Sequence, residues 1–185
     1  MIAMAADAFW FEPRSTVVSE FNVEVPAWPG NTETLQVVQL SDIHVDDVHM
    51  PPERVRDIAK RVEGRKPDVI LLTGDYIGGD VLKGRKEFGA RPLRSPENVA
   101  LPAGAATLTL THNAGQVRLP LIGAPVRVVR HTEDTADGYE VINNRILIVT
   151  RGLGSSGLPV RFGAPPQIMV LNIKPGTTAK VTERH

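Results

Sequence analysis

Acidic and imidazole side chains follow two apolar runs, at the point where each run ends. Asp42 and His44 come directly after LQVVQLS (35–41), and Asp75 comes shortly after VILLT (69–73). The two aspartates are 75 − 42 = 33 residues apart, which is about the length of one βαβ unit. Neighbouring parallel strands deliver such residues to the same carboxyl-end edge of a sheet, where open α/β sheets bind ligands.

These three side chains predict a cation site. Two carboxylates and an imidazole disfavour one another's charged forms unless a cation lies between them, and divalent metals are the natural occupants. The competing interpretation is structural, because an aspartate after a strand often caps a turn. The apolar run before each motif, and Gly74 immediately before Asp75, favour metal binding.

The elements that must position these residues can be predicted. PPERVRDIAKRVEG (51–64) begins with proline, repeats apolar residues at helical spacing and ends in glycine, so it predicts an amphipathic helix. VILLT is an unbroken apolar run, typical of a buried parallel strand. Basic residues from Arg54 to Lys66 alternate with acidic ones at helical spacing, which indicates a solvated helix face.

The C-terminal half is predicted to be rich in β-structure. TLTL (107–110), VRVV (126–129) and IMVLNI (168–173) are predicted strands, and GYEVI-NN-RILIV (138–149) predicts a hairpin with a type I′ turn. The chain therefore divides into an N-terminal extension (1–34) and one domain (35–185). Within that domain, residues 83–106 form an irregular connection.

The composition restricts the possible functions. Of 185 residues, 21 are basic and 21 acidic, so no global field attracts nucleic acid or an anionic membrane. The absence of cysteine excludes thiolate metal sites. The apolar start, MIAMAADAFWF, is about ten residues long, short of the ~20 needed to span a bilayer. No transmembrane segment is expected, and the expected location is the cytoplasm or the periphery of the inner membrane.

Several segments together resemble a known family. VVQLSDIHVDD and KPDVILLTGDYIGG resemble the first two motifs of the calcineurin-like metallophosphoesterases. GQVRLPLIGAPV and ILIVTRGLGSSGLPVRFGAPPQIMVL are similar to the C-terminal segments of one branch of that family. The resemblance covers about 35–82 and 115–174. It implies an α/β (α+β) fold, a β-sandwich flanked by helices, with an N-terminal βαβ unit.

The resemblance also implies a chemistry. Asp42 and His44 would bind the first of two divalent ions (Mn, Fe or Zn), and Asp75 would bridge both ions as the catalytic ligand. A metal-activated hydroxide would hydrolyse phosphomonoesters or phosphodiesters. The family's Gly-His-Thr-His-Gly motif would fall on LTHNA (110–114), and a shift of one residue puts His112 in the first histidine position. A turn histidine is the competing interpretation of His112.

The chain departs from the family pattern between these blocks. No Gly-Asn-His/Asp motif follows Asp75, and no histidine lies between Asp75 and His112. The chain resembles the two ends of a metallophosphoesterase joined across a large internal deletion at the irregular connection. We therefore expect impaired activity. The alternative is a catalytically inactive remnant, a structural or metal-binding module, and exposed sheet edges would favour self-association.

A glycine-rich loop lies near the C-terminus. GLGSSG (152–157) fits the dinucleotide pattern G-x-G-x-x-G, but LPVRFGAPP follows it and cannot form the helix that a dinucleotide site requires. The glycines instead predict a turn with positive φ. Arg151 and Arg161 flank the loop; they are expected to be surface side chains, and the alternative is that they contact a substrate phosphate.

Overall fold

The computed structural model describes residues 7–26, 33–46, 48–74, 76, 108–112, 117–118, 125–126, 137–142, 144–155 and 160–184. For 108–126, and for positions 142 and 145, the description covers the backbone alone. The described residues form a mixed α+β structure that is mostly sheet, as the sequence predicts.

The described residues form two short helical turns, one α-helix and ten strands, and the helix lies between the second and third strands. The turns are Asp7–Phe11 and Glu12–Arg14, and the helix α1 is Pro52–Glu63. The strands are β1 (Val17–Pro26), β2 (Leu35–Ser41), β3 (Val69–Thr73), β4 (Leu108–His112), β5 (Val117–Arg118), β6 (Pro125–Val126), β7 (Gly138–Ile142), β8 (Arg145–Thr150), β9 (Gln167–Gly176) and β10 (Lys180–Arg184).

Three sheets contain these strands. The largest has the order β10-β1-β9-β2-β3, in which β9 is central, parallel to β1 and antiparallel to β2. A second sheet has the order β4-β8-β7, and β5 pairs with β6. The central position of β9 explains its composition, because QIMVLNI is buried over its first seven residues.

The two larger sheets pack face to face. Phe21 and Leu171 of the five-stranded sheet share a buried cluster with Ile146 and Ile148 of β8. The Phe21 and Tyr139 rings meet edge to face, with centroids 5.9 Å apart. This arrangement is the expected sandwich, in which inward residues of both sheets form one apolar layer.

The opposite face of the five-stranded sheet packs against α1. Val38 and Val170 contact a cluster that contains Ile58 and Val62, which are one turn apart on the helix. The described residues therefore form three layers, with the large sheet in the middle.

The predicted βαβ unit is confirmed. β2 and β3 are parallel, with Val37 opposite Val69 and Ser41 opposite Thr73, and α1 connects them. The helix begins with proline at its first position and ends at Gly64 as predicted. The matched register brings the carboxyl ends of both strands to the same edge.

The predicted hairpin is also confirmed. β7 and β8 are antiparallel, and Ile142 pairs with Arg145, which leaves two residues in the turn. Asn144 has φ of 63°, as a type I′ turn requires. Three strands, β1, β5 and β10, were not predicted. β1 pairs with β9 over ten residues, so part of the segment before residue 34 belongs to the main sheet.

The prediction that VILLT is buried was wrong. Among the described strands β3 is the last of its sheet, and Ile70 and Leu72 are 48% and 49% exposed. Both side chains line an apolar cavity of about 260 Å³ that α1 covers from one side. Among the described residues only one helix packs on this face, and it lies over β2 and β9 more than over β3.

The central strand allows a direct test of the packing. Leu171 is fully buried between the sheets, so Leu171→Ala should lower the free energy of unfolding by about 2–5 kcal/mol. Val18→Thr, at an exposed position of β1, should change it by less than about 0.5 kcal/mol. Urea denaturation of both variants measures the difference, and equal losses would contradict the layered arrangement.

Candidate metal centre

Asp42 and His44 lie at the carboxyl end of β2, where the sequence predicts them. The Asp42 amide donates to the Thr73 carbonyl at 3.1 Å, so the pairing with β3 continues one residue beyond the strand. Both side chains are fully buried, and His44 Nε2 lies 3.7 Å from Asp42 Oδ1. Asp42 and His44 have φ of 47° and 43°, a conformation uncommon outside glycine.

Two glycines with positive φ enclose the Asp42 carboxylate. Gly74 has φ of 76°, and a Cβ added there would lie 2.6 Å from Asp42 Oδ1. Gly152 has φ of 72°, as predicted for this loop, and a Cβ there would lie 3.0 Å from Asp42 Oδ2. The carboxylate therefore has a glycine backbone on two sides, and the Ser41 hydroxyl donates to Oδ2 at 3.1 Å.

A third glycine packs on the backbone that carries both candidate ligands. A Cβ on Gly154 would lie 2.5 Å from the Ile43 carbonyl oxygen and 2.6 Å from His44 Cβ. The Gly154 amide donates to the Asp42 carbonyl at 2.6 Å, and the Leu153 amide donates to the Ser41 carbonyl at 2.9 Å. The glycine-rich loop thus extends the pairing of β2 past its end.

The Arg161 side chain holds this loop in place. Its guanidinium donates to the carbonyls of Gly154, of Arg151 at 3.1 Å and of Ala164 at 2.8 Å. The prediction of a surface side chain was wrong for Arg161, which is only 2% exposed. Three carbonyl acceptors replace the water that a buried guanidinium loses.

The charge of Arg161 is also placed near the candidate ligands. Burial lowers the pKa of Arg161 to about 10, and the neighbouring Asp42 carboxylate opposes that shift. The guanidinium therefore stays protonated at neutral pH. A buried cation near Asp42 favours the ionised carboxylate that a metal ligand must be.

A glutamine ties the same loop to the central strand. The Gln167 side-chain oxygen accepts from the Arg151 amide at 3.1 Å and from the Thr150 hydroxyl at 3.2 Å. The Gln167 amide donates to the Gly152 carbonyl at 3.0 Å. The loop is therefore held by β2, by β9 and by Arg161.

Two predicted site residues fall partly or wholly outside the described chain. Asp75 is outside it, although its neighbours are described: Gly74 touches Asp42, and the Tyr76 carbonyl accepts from the Val45 amide at 2.9 Å. The backbone of His112 ends β4 and pairs in register with Thr150 of β8. The side chain of His112 and the predicted connection 83–106 lie outside the description.

The loop after His44 contains an aspartate with a structural role. Asp46 Oδ1 accepts from the amides of Val48 and His49 at 2.6 Å each, and of Met50 at 3.1 Å. These three hydrogen bonds fix the turn that leads into α1. This use of Asp46 satisfies the backbone of the turn.

The donor chemistry of Asp42 and His44 fits a divalent ion. Two ligand atoms about 2.1 Å from a tetrahedral ion lie about 3.4 Å apart, close to the 3.7 Å between Oδ1 and Nε2. Within the part of the chain that the structure describes, no group of three histidine, aspartate or glutamate side chains could hold a metal. The described residues therefore contain two members, Asp42 and His44, of the predicted ligand set.

Comparison with known proteins gives one partial similarity. The chain is 27% identical over 67 residues to the UDP-2,3-diacylglucosamine pyrophosphatase LpxG of Chlamydia trachomatis serovar D. The similar region is 36% of this chain and 20% of the length of that relative. No family model matches the chain, and no solved structure matches it. The similarity to a pyrophosphatase is consistent with a hydrolase of phosphoryl compounds and fits the calcineurin-like superfamily loosely.

The helices give no sign of a membrane span. None of those in the described ranges is both long enough and apolar enough to cross a bilayer.

The close packing of Gly154 can be tested by adding one methyl group. Gly154→Ala should lower the free energy of unfolding by about 3 kcal/mol, since backbone atoms of residues 42–44 surround the new carbon. Gly64→Ala is the matched control, because Gly64 has an ordinary φ of −61° and space for a methyl group. That change should be neutral or stabilise by about 0.4–1 kcal/mol. Thermal denaturation measures both, and a harmless Gly154→Ala would contradict the described contact.

The role of Arg161 can be tested with a substitution that keeps its charge. Lysine cannot reach three carbonyls with a planar fork, so Arg161→Lys should cost about 1–3 kcal/mol of stability. Arg184→Lys, at an exposed position, should cost less than about 0.5 kcal/mol. Urea unfolding compares the two variants, and an equal effect would rule out the clamp.

Proposed function

We propose that this protein is a metal-dependent phosphoesterase that hydrolyses phosphomonoesters, phosphodiesters or the related pyrophosphate bond. The observation that carries the proposal is the buried Asp42–His44 pair at the carboxyl ends of β2 and β3, enclosed by three glycines. Such enclosure orients two ligand side chains on rigid backbone before any ion binds. The partial similarity to a pyrophosphatase supports the same class of reaction.

Asp42, His44 and Asp75 would hold the metal. Asp42 and His44 have the donor atoms and spacing for one ion, and Asp75 follows Gly74, whose backbone touches the Asp42 carboxylate. His112 ends a strand in register with Thr150, two residues before Gly152, so its backbone position is compatible with a ligand from the opposite sheet. The bound ion would acidify a water molecule and offset charge on the phosphoryl oxygens.

The residues of the chain prepare this site in two ways. The Ser41 hydroxyl and the two glycines fix the orientation of the Asp42 carboxylate, so little reorganisation accompanies binding. The loop 152–154 covers the backbone of residues 41–44 and keeps water from it, which strengthens the electrostatic interactions inside. These roles belong to positioning groups, and the chemistry needs the cation.

We expect slow turnover. The family pattern supplies further ligands from a motif that this sequence lacks between Asp75 and its C-terminal block. Fewer ligands lower the affinity for the ion. A site with less bound ion gives less electrostatic stabilisation of the transition state.

Metal content and hydrolysis should be measured together. The protein is loaded with Mn²⁺, desalted and analysed by mass spectrometry, and hydrolysis of an aryl phosphodiester is followed in parallel. Asp42→Asn, His44→Ala and Asp75→Asn should each reduce retained metal at least about tenfold, since each removes a ligand. Glu183→Gln, an exposed change on β10, is the control and should retain the metal and activity of the unmodified chain.

The outcomes separate the alternatives. Metal bound through these residues without hydrolysis would contradict the enzyme and leave a metal-binding module. Hydrolysis that is equal in the unmodified protein and in Asp75→Asn would contradict the proposed site. Circular dichroism of each variant excludes loss of fold as the cause.

A further inference from the structure

A polar cavity is lined in part by the loop that follows His44. It has a volume of about 680 Å³ and is formed by the N-terminal turn, residues 48–51 and one face of α1. Three arginines line it, Arg14, Arg54 and Arg61, together with the buried His49. This set of residues is called the basic cleft below.

Two of the arginines are held in place by the surrounding backbone. Arg54 donates to the His49 carbonyl at 2.5 Å and to the Thr16 hydroxyl at 2.9 Å. Arg14 donates to the carbonyls of Trp10 at 3.0 Å and Val48 at 3.1 Å. Because each guanidinium has five N–H groups, both keep donors for a ligand. The cleft is therefore pre-organised.

The carboxylates among the described residues offset only part of the positive charge of the basic cleft. Among the described residues, none of its three guanidinium groups lies within ion-pair distance of a carboxylate. The acids in the lining pair with other cations: Glu53 lies 3.3 Å from Arg56, and Asp57 lies 3.8 Å from Lys60. Those pairs are exposed and weaken, without cancelling, the field of the arginines.

The pKa of Arg54 reflects the same excess of positive charge in the cleft. Burial lowers its pKa, and the charges of Arg14 and Arg61 lower it further, while Asp46 raises it. Asp46 compensates part of this charge, and its Oδ1 already accepts three backbone amides. An added anion would relieve the repulsion among the three guanidinium groups.

An aromatic side chain lies against one arginine of the basic cleft. The Arg14 guanidinium lies 4.1 Å from the centre of the Trp10 ring, so the two stack. Trp10 and its neighbours Phe9 and Phe11 are 46–63% exposed. Aromatic and cationic groups side by side are typical of surfaces that meet a phosphate next to an apolar group.

We propose that the basic cleft is an anion site that binds a phosphate group, separate from the metal centre. The arginines would donate paired N–H hydrogen bonds to the phosphate oxygens. A lysine ammonium cannot form this bidentate contact. Phospholipid headgroups and soluble phosphorylated molecules share this chemistry. The sequence predicts that the basic residues of α1 lie on a solvated face, and Arg56 and Lys60 do so. Arg54 does not, because it is half buried and donates hydrogen bonds to His49 and Thr16.

The site can be tested without any metal. The full chain is treated with a chelator, and binding of inorganic phosphate is measured by calorimetry against chloride at equal ionic strength. Arg61→Gln should weaken phosphate binding about tenfold, since it removes a charge-assisted contact. Arg61 is exposed and makes no hydrogen bond that supports the fold among the described contacts, so the variant should fold. Arg14→Gln is a second variant with the same expected loss.

Arg65→Gln is the matched control. It removes the same charge four residues further along, outside the cleft, and should change the affinity less than about twofold. Unchanged phosphate affinity in Arg61→Gln and Arg14→Gln would overturn the site. So would the absence of binding both to phosphate and to vesicles that contain phosphatidylglycerol.

Vesicles identify the source of the phosphate group. Co-sedimentation with phosphatidylcholine vesicles that contain phosphatidylglycerol, reduced in Arg61→Gln, would support the site with a lipid headgroup as ligand. Phosphate binding without vesicle binding would support it with a soluble phosphorylated ligand. Equal binding to vesicles with and without phosphatidylglycerol, unaffected by Arg61→Gln, would show attraction by the aromatic residues alone and contradict the proposal. Hydrolysis is not part of any arm, so failure here leaves the metal centre untouched.

Discussion

The structure depends on the packing of a glycine loop against a strained backbone. Asp42 and His44 adopt positive φ, which costs each about 1–3 kcal/mol unless the surroundings fix it. The surroundings do so through the bond from the Gly154 amide to the Asp42 carbonyl. The buried Arg161 guanidinium then holds Gly154 in place. The candidate ligands, the loop and the buried cation are therefore linked by contacts into one unit.

The sequence predicts the parts of this unit that are local. The strand, helix and strand from residue 35 to 73 follow from apolar spacing, from proline and from glycine, and all three were placed correctly. The turn at Gly152 followed from the same reasoning. The alternation of apolar Phe21, Val23 and Val25, all buried in the structure, also indicates a strand. The prediction of an N-terminal extension over residues 1–34 does not include this strand, β1.

The long-range features could not be predicted from the sequence. The burial of Arg161 depends on carbonyls at residues 151, 154 and 164, which approach it only when the loop folds back. The exposure of β3 depends on which strands pair beside it, and an apolar run looks the same at the centre and at the edge of a sheet. The partial similarity to a pyrophosphatase is consistent with a hydrolase and covers a fifth of that relative.

The position of β9 has a consequence for the order of folding. It is the ninth of the described strands, yet it lies between β1 and β2 in the sheet. Its first residue, Gln167, pairs with Val17 of β1, which lies 167 − 17 = 150 residues earlier in the chain. During synthesis neither β1 nor β2 can complete its pairing until this strand has left the ribosome. Such high contact order slows folding, and the half-made sheet would present two unpaired edges to chaperones and to other nascent chains.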